Sequence, residues 1–468
     1  MTTQCIQTEF GFQPLHQRGV VARFDGGDIT TDGGGLLLRE VERKTGIIHQ
    51  LAACFTDHRR QDRVEHAVEE LIAQRIYGLA LGYEDLNDHD QLRQDPMIAV
   101  LTGKVEPKGT DRHRVRDEGK AGAGKSTLNR LELTPADADQ KARYKKIVMN
   151  EAAMDRLLVD LFIQAQAEAP KRIVLDLDAT DDPLHGNQEG RFFHGYYREY
   201  CYLPLYIFCG EFLLCARLRS SHIDAAAGVL EELERIIAQI RHTWPEVEIV
   251  LRGDGGFCRD PIMTWCEAHQ VEYVFGLAKN QRLKKIIGEQ LHQAQQQFEQ
   301  TGKPARIFAE FEYRTRKSWH AGRRVVAKAE HLDKGSNPRF VVTSLEAQQM
   351  ESRPLYEELY CGRGDMENRI KEQQLALFAD RTSTSLMRSN QLRLYFSSFA
   401  YCLLQALRRL GLQGTEMAQA QCQTIRLKLL KIGAQIRITV RKVWISLAAG
   451  CPYAAIFAQV YRNLIPAT

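Results

Sequence analysis

Residues 171–180 read KRIVLDLDAT and form the stretch that decides the fold. The apolar, β-branched run predicts a buried strand, on which Asp176 and Asp178 lie two positions apart and so share one face. Binding of a cation would explain an acidic pair inside an apolar strand. The alternative is capping of the strand end, which suits Asp181 and Asp182 better than the two acids within the run. The strand therefore predicts a carboxylate site on a buried sheet.

The segments after this strand predict the order of a mixed α/β fold. Two meandering strands come first, and then a helix, a strand, a second helix and another strand, at 192–210, 211–219, 225–244, 248–256, 260–270 and 271–278. Three meandering strands followed by helix–strand–helix–strand is the order of an RNase H-like core, a mixed sheet flanked by helices. We therefore expect an α/β protein whose RNase H-like core spans 171–279 and 346–400.

Different patterns flank and interrupt this predicted core. Residues 1–150 are expected to form a mainly helical N-terminal region, because apolar residues recur at three- and four-residue spacing across 36–102. Residues 280–345 begin with a polar helix and continue as strands, which predicts a β-rich insertion. Residues 401–468 form a basic C-terminal region, in which alternation of apolar and polar residues predicts strands within 431–448.

The distribution of charge points to a polyanionic partner. The net charge is only +4, but residues 381–468 contain twelve Lys or Arg against one acid, Glu416. A second stretch, 103–146, contains twelve basic and seven acidic residues. Basic charge concentrated in this way attracts nucleic acid, whereas a solvated basic face is the alternative for any single helix.

The composition is that of a globular protein, 44% hydrophobic and 26% charged. The sequence has no apolar run of about 18 residues, and its start lacks the charged and apolar regions of a signal peptide. We therefore expect a cytoplasmic protein with no membrane partner. The eleven cysteines include no Cys-x-x-Cys pair and are expected to be reduced and buried, and a zinc site at Cys54, His58 and His66 has no evident fourth ligand.

Two further acids complete a candidate site for phosphodiester chemistry. Asp254 ends the apolar strand EIVLRGD among glycines that let a ligand approach the backbone, although an ordinary strand-end turn has the same appearance. Glu367 lies on a predicted helix, with Arg363 and Tyr360 four and seven residues before it on the same face. A surface ion pair between Arg363 and Glu367 is the alternative. Metal-dependent cleavage needs hard oxygen ligands held on a rigid core, which Asp176 or Asp178 would supply together with Asp254 and Glu367.

Together these residues resemble the DDE transposases of bacterial insertion sequences, in the branch with a β-rich insertion before the last carboxylate. The spacings are 76 residues from Asp178 to Asp254 and 113 from Asp254 to Glu367, and the second leaves room for the insertion. The run Asp178-Ala-Thr-Asp181 resembles the Asp-Thr-Thr-Asp run around the family's first catalytic Asp. That likeness favours Asp178 over Asp176.

The helix with Glu367 resembles a second motif of the same family. Tyr360, Arg363 and Glu367 match the Tyr-x2-Arg-x3-Glu part of its Tyr-Arg-Glu-Lys motif, in which Tyr and Arg contact DNA near the scissile phosphate. The family's Lys follows its Glu by seven residues, where this sequence has Gln374. Lys371, one turn after Glu367, could take its place.

The resemblance implies a DNA transposase that binds the terminal repeats of an insertion sequence, cleaves at the transposon ends and transfers the 3′ ends into target DNA. It implies that Asp178, Asp254 and Glu367 are the catalytic residues and hold two Mg²⁺ or Mn²⁺ ions per active site, with Asp176 as a supporting group. Tyr360, Arg363 and Lys371 would contact DNA.

The resemblance also implies partners and a place in the cell. The partners would be transposon-end DNA and target DNA, and a homodimer would pair the two ends. The helical region 1–150 and the basic region 401–468 would bind the ends. The protein would act in the bacterial cytoplasm, at the nucleoid.

Residues 119–126, GKAGAGKS, fit the P-loop pattern letter for letter. A P-loop needs a buried strand directly before it, and the preceding DRHRVRDE cannot be one, so we interpret the match as accidental. Lys120 and Lys125 could still contact DNA phosphate. The alternatives to an active transposase are a P-loop-type, ATP-driven DNA-processing protein and a transposase-derived DNA-binding protein without DDE catalysis.

Overall fold

The structure, a computed structural model, describes residues 9–465 of the 468-residue chain. The first eight residues of the predicted N-terminal region and the last three of the predicted C-terminal region lie outside the described residues. Residues 9–170 form the strands β1 (Phe10–Leu15), β2 (Arg18–Ala22), β3 (Asp28–Thr30), β4 (Phe55–Asp57) and β5 (Ile147–Met149) and the helices α1 (Leu36–Thr45), α2 (Ile47–Ala52), α3 (Val68–Leu81), α4 (His89–Leu92), α5 (Pro96–Leu101), α6 (Lys125–Glu132) and α7 (Glu151–Gln164).

The next segment contains the strands and helices predicted for the core. They are β6 (Arg172–Ala179), β7 (Asp182–Pro183), β8 (Phe192–His194), β9 (Glu199–Tyr202), β10 (Leu205–Cys209), β11 (Phe212–Arg217), α8 (Val229–Thr243), β12 (Glu248–Gly253), α9 (Asp260–Ala268) and β13 (Glu272–Leu277).

Two further groups of elements complete the described chain. The first is α10 (Gln281–Ile286), α11 (Gly288–Thr301), β14 (Ala305–Tyr313), β15 (Arg323–Leu332), β16 (Gly335–Ser336) and β17 (Arg339–Thr343). The second is α12 (Ser352–Pro354), α13 (Gly364–Lys371), α14 (Met387–Leu410), α15 (Cys422–Ile425), β18 (Ala434–Ile438), β19 (Val443–Leu447) and α16 (Ala454–Leu464).

One mixed sheet of nine strands lies at the centre of the fold, in the order β11-β10-β6-β12-β13-β17-β15-β14, with β16 paired to β15. Strand β6 runs antiparallel to β10 and parallel to β12, and β12 runs parallel to β13. The part from β11 to β13 therefore has the strand order and directions of an RNase H-like core. The central strands β6 and β12 are buried along most of their length, which explains their nearly continuous apolar sequence.

The strands of residues 280–345 continue this same sheet. Strand β17 pairs antiparallel with β13, β15 with β17, and β14 with β15. Helix α11 packs against β14 and β15. The β-rich segment is thus an extension of the central sheet beyond β13, and its own helices α10 and α11 precede its strands.

The two faces of the sheet pack into two different hydrophobic cores. On β10, Leu205 and Ile207 pack among residues of α8 and α9, whereas Tyr206 and Phe208 pack among residues of α3 and α14. This alternation follows from the two-residue period of a strand. The sheet is the middle layer of the fold, and a carboxylate at the end of a central strand is held on both sides by packed helices.

The N-terminal and C-terminal regions share one core. Strand β18 pairs with β3, and the buried Arg426 donates hydrogen bonds to the carbonyls of Leu79 and Ala80 on α3. The 24-residue helix α14 packs against α1 and α3. Among the described residues, none of the helices, α14 included, combines the length and the apolar character that crossing a bilayer requires.

Much of the positive charge of residues 381–468 is neutralised inside the protein. Five of its basic side chains pair with acids from earlier in the chain: Arg381 with Glu84, Arg388 with Glu151, Arg393 with Glu132, Arg408 with Glu372 and Lys431 with Asp32. The interpretation of the whole tail as a basic surface is therefore wrong for these five, because their charges hold the tail to the rest of the protein. The ten cysteines among residues 9–465 are free, and six of them are buried.

Candidate active site

Asp178 and Asp254 follow equivalent positions on two adjacent parallel strands. The register of β6 and β12 pairs Asp176 with Arg252 and Leu177 with Gly253, so Asp178 and Asp254 come next on their respective strands. Both lie at the carboxyl ends of central strands, the edge where open α/β sheets bind ligands. The sheet register thus brings together two carboxylates that are 76 residues apart in sequence.

The Asp178 carboxylate lies in a partly buried, electrostatically crowded position. Its Oδ1 accepts a hydrogen bond of 2.9 Å from the Ala179 N–H, and the guanidinium of Arg363 lies 3.8 Å from its Oδ2. Burial raises the pKa of Asp178 to about 6. Arg363 lowers that pKa, whereas the negative charges of Asp254 and Glu367 raise it. The three carboxylates are therefore close enough to act on one another's ionisation.

Asp254 lies in a turn of glycines, close enough to Tyr360 for its charge to raise the pKa of that phenol. Its Oδ1 accepts a hydrogen bond of 2.8 Å from the Gly256 N–H. The Tyr360 hydroxyl reaches the adjacent strand β13, where a Cβ added to Gly276 would lie 2.6 Å from the Tyr360 oxygen and 3.1 Å from the Gly255 nitrogen. Gly276 thus provides the space that lets Tyr360 lie beside Asp254.

Glu367 is brought to this edge by a helical segment that crosses the sheet. The segment starts at α12, contains a π-helical turn at Leu355–Tyr360, continues through α13 and ends in a second π-helical turn at Glu372–Ala376. Within it, Arg363 donates a hydrogen bond of 2.8 Å to Glu367. The surface pairing considered for these two residues does occur, but the same guanidinium also faces Asp178.

Asp176 is bound to Arg252 on the neighbouring strand. Both terminal nitrogens of that arginine are engaged, because one donates to Asp176 at 2.8 Å and the other donates to the carbonyl of Leu359. Asp176 is only 3% exposed, and its burial raises its pKa even beside Arg252. The structure therefore places Asp176 in an ion pair that links β6, β12 and the segment before Tyr360.

The three candidate carboxylates have the chemistry to bind hard divalent cations, but they are not arranged around a common metal position. Asp178, Asp254 and Glu367 offer oxygen ligands only, the type that Mg²⁺ prefers. Within residues 9–465, no group of three or more Asp, Glu, His or Cys side chains is arranged as a metal site. The contacts give the reason: Asp178 and Asp254 accept hydrogen bonds from the N–H groups of Ala179 and Gly256, and Arg363 lies between Asp178 and Glu367.

The two candidates for the last position of the Tyr-Arg-Glu-Lys motif differ in their surroundings. Lys371 is exposed at the end of α13, one turn after Glu367. Gln374 donates a hydrogen bond of 3.0 Å to the carbonyl of Asp181, in the loop that follows Asp178. Gln374 therefore contacts the loop 178–181, whereas the side chain of Lys371 is exposed to a ligand on the surface.

The glycine-rich loop 119–126 does not have the structure of a P-loop. The element directly before it is a short 3₁₀ turn at Val115–Asp117, where a P-loop would have a strand. Its backbone N–H groups are used internally, since Gly122 donates to the Arg93 carbonyl, Ala123 to the Gln74 side chain and Lys125 to Asp90. These donors are not available to cradle phosphate.

The two lysines of this loop have different environments. The Lys125 ammonium bonds Asn87 at 3.1 Å and lies 3.6 Å from Asp90. Lys120 donates to the Arg116 carbonyl and lines a cleft of about 850 Å³ whose lining contains seven arginines and four acids. Of the pair, Lys120 is the one that faces a basic surface.

Sequence reasoning missed three residues that shape this site. Arg252 was visible as a charged residue inside an apolar strand, opposite an equally unexpected Asp176, and that coincidence could have predicted their pairing. Gln374 and Gly276 gave no such signal, because their contacts depend on the crossing of the helical segment over the sheet.

The strand order and the acids at the ends of β6 and β12 define the class of proteins with an RNase H-like core. The sequence matches the family described as Transposase DDE domain group 1 over residues 12–468. The chain belongs to this family of DDE transposases.

Other comparisons are more distant. A solved structure that resembles the chain is the piggyBac transposase synaptic complex with hairpin DNA. It is 11% identical, with a TM-score of 0.40, and the match covers 85% of this chain and 80% of that chain. Among curated proteins, none matches this sequence.

Proposed function

We propose that this protein is an active insertion-sequence transposase whose catalytic residues are Asp178, Asp254 and Glu367. The observation that carries the proposal is the juxtaposition at one sheet edge: two acids follow paired positions of β6 and β12, and Glu367 is linked to them through Arg363. Membership of the DDE transposase family supports DNA cleavage and joining as the reaction. In this proposal the element is bacterial and its transposase acts on DNA in the cytoplasm.

In the proposed reaction, the protein cuts at the transposon ends and joins the resulting 3′ ends to target DNA. During joining, a 3′ hydroxyl attacks a target phosphodiester, one such bond forms as another breaks, and the leaving 3′ oxygen takes up a proton. Because the number of phosphodiester bonds is conserved, no nucleotide fuel is required. Two Mg²⁺ or Mn²⁺ ions, held by the three carboxylates, would activate the attacking oxygen and stabilise the leaving one.

The protein's own residues hold and orient the DNA strand. Arg363 can give two parallel hydrogen bonds to a phosphate, a geometry that suits a guanidinium. Tyr360 lies beside Asp254 and can donate to a phosphate or stack on a base. Lys371 is exposed on the same helix and would provide a further cation for the backbone. Asp176 holds Arg252, which in turn bonds the carbonyl of Leu359, the residue before Tyr360.

Binding of the ends is proposed for the N-terminal and C-terminal regions. Both regions share one core beside the catalytic sheet, so DNA bound by one lies near the other. Transposition joins two ends, and we propose that a homodimer pairs them before cutting. The cleft beside Lys120, which is lined by seven arginines, would bind phosphate in the N-terminal region.

The test is cleavage and strand transfer by purified protein on labelled DNA that carries the element's terminal repeats. Asp178→Asn, Asp254→Asn and Glu367→Gln should each abolish both reactions while leaving DNA binding. The matched control is Asp365→Asn, which changes an exposed acid two residues before Glu367. Wild-type protein that binds the ends but cuts them no faster than Glu367→Gln would establish the non-catalytic alternative instead.

The same assay decides the P-loop alternative. Cleavage and joining should proceed with Mg²⁺ and DNA alone, and Lys125→Ala should alter DNA affinity at most. An absolute requirement for ATP, lost in Lys125→Ala, would favour the ATP-driven protein.

A further inference from the structure

The strands β18 and β19 form a hairpin whose turn is closed by hydrogen bonds between Thr439 and Lys442. The Thr439 N–H donates to the Lys442 carbonyl at 2.9 Å, and the Thr439 hydroxyl accepts from the Lys442 N–H at 3.1 Å. Val440 and Arg441 form the tip, and Val440 is fully exposed. The hairpin is attached to the body of the protein by pairing of β18 with β3. It thus presents an ordered tip to solvent.

The hairpin has one buried face and one exposed face. Ile436, Ile438 and Ile445 pack against the hydrophobic core. On the opposite face, Arg437 is paired across the strands with Trp444, whose side chain is 48% exposed. The Arg437 guanidinium lies 6.0 Å and the Lys442 ammonium 5.3 Å from the centre of the indole ring. The exposed face therefore combines an aromatic plane with two flanking cations.

The cations of the hairpin differ from most other basic residues of the tail. Five of the tail's twelve pair with acids, and the guanidinium of Arg426 is used by backbone carbonyls. Arg437, Arg441 and Lys442 are exposed, and none of them forms an ion pair with an acid of the described chain. Of the six remaining basic residues of the tail, three lie together on this hairpin, whereas Arg409, Lys428 and Arg462 are spread along the chain.

A cleft of about 1100 Å³ separates the hairpin from residues 100–108 and helix α1. The facing wall adds two exposed cations, Arg39 and Lys108, and Glu106 is the one acid among the residues that line the cleft. Both walls are therefore basic, whereas the exposed Val105 and Val440 supply apolar contact. A polyanion with flat apolar surfaces matches this combination.

We propose that this hairpin, residues 434–447, is a binding element for double-stranded DNA. Arg437, Arg441 and Lys442 neutralise backbone phosphates, and Trp444 and Val440 pack against sugars or base edges. Two-stranded ribbons of this size fit a DNA groove. A protein partner would have to be strongly acidic to compensate the same charges. This inference rests on DNA being the substrate of the proposed function.

The first test is the salt dependence of duplex binding, measured on Asp254→Asn protein so that no strand is cut. Each neutralised phosphate contributes about 0.9 to the slope of log affinity against log salt. The variant Arg437→Gln/Arg441→Gln/Lys442→Gln should therefore lower the slope by about 3 units. The charge-matched control is Lys285→Gln/Lys303→Gln/Lys334→Gln, which removes three exposed lysines of residues 280–345 and should leave the slope unchanged.

A slope that is unchanged in the hairpin variant, or equally reduced in the control, would overturn the proposal. If the proposed function is wrong, the result is different: the wild-type protein itself does not cut the transposon ends, whatever the hairpin does. Full cleavage with an unaltered slope would reject the hairpin inference alone.

The second test uses Trp444 as a probe. Trp244 and Trp319 are buried and Trp265 is half-buried, so Trp444 is the tryptophan most accessible to a ligand. Saturating duplex DNA should quench part of the fluorescence, and Trp444→Phe should remove that change while keeping most of the affinity. Quenching that persists in Trp444→Phe would contradict the proposal. Dissociation of a dimer by the triple variant, without a change in slope, would show instead that the hairpin binds a second copy of the chain.

Discussion

The guanidinium of Arg363 donates a hydrogen bond of 2.8 Å to Glu367, one helical turn further along the chain. Its other terminal nitrogen lies 3.8 Å from Asp178, on the strand beneath the helix. One side chain thus balances two of the three acids proposed for catalysis. Cations that bind these acids have to compete with it, and a phosphate that draws Arg363 away would release both carboxylates.

Arg363→Ala should reduce cleavage much more than DNA affinity. Loss of a positioned phosphate donor costs about 100-fold or more in rate, whereas duplex affinity is spread over many contacts. The measurement is single-turnover cleavage beside a binding titration. Arg353→Ala is the control, because Arg353 lies on the same helical segment and forms a partly exposed ion pair with Glu357 at 3.7 Å. Equal loss of rate and affinity would identify Arg363 as a plain binding residue.

Asp178→Asn should stabilise the metal-free protein at neutral pH. The pKa of Asp178 is about 6 in the folded protein, above the ordinary aspartate value of 3.8, so the folded state holds the proton more tightly than the unfolded chain does. The ionised carboxylate therefore destabilises the fold increasingly as pH rises from about 4 to about 6, and not below that range. The gain at pH 7 should be at most ~3 kcal/mol.

The measurement is urea unfolding of wild-type and Asp178→Asn protein across this pH range, without metal. The two curves should converge near pH 4 and separate towards pH 7. Addition of Mg²⁺ should stabilise the wild type and leave the variant unaffected. A constant difference at all pH values would show that burial of Asp178 is not the cause.

Asp176→Asn should have the opposite effect on stability. Removal of one partner from a buried ion pair leaves Arg252 uncompensated, which costs roughly 3–5 kcal/mol. Thermal unfolding should therefore show a large decrease for Asp176→Asn, and Asp176→Leu/Arg252→Met should recover a large part of it. If Asp176→Asn is as stable as the wild type but has lost all cleavage, the catalytic residue is Asp176 rather than Asp178.

Gly276→Ala should impair activity through Tyr360. The new Cβ would lie 2.6 Å from the Tyr360 oxygen, so the ring must leave its place beside Asp254. Tyr360→Phe removes that oxygen, and the double variant should be more stable than Gly276→Ala alone. The control is Gly288→Ala on α11, where an added Cβ meets nothing within 4 Å. Destabilisation that Tyr360→Phe does not relieve would locate the clash at the Gly255 backbone.

The family, the order of strands and the positions of the three acids could be read from the sequence because each depends on local patterns. Apolar runs predict β6 and β12, and helical spacing places Arg363 one turn before Glu367. The sequence by itself also excluded a P-loop, since a charged segment cannot form the buried strand that such a loop requires.

Other features were decided by the tertiary structure, because they depend on which distant segments meet. The register of β6 and β12 pairs Asp176 with Arg252 and leaves Asp178 at the strand end. The crossing of the helical segment places Gln374, and not Lys371, against Asp181. Charge counting could not distinguish the tail's cations that hold the fold from the exposed ones of the β18–β19 hairpin. A local pattern fixes what a side chain can do, whereas its partner is fixed by packing of elements far apart in the chain.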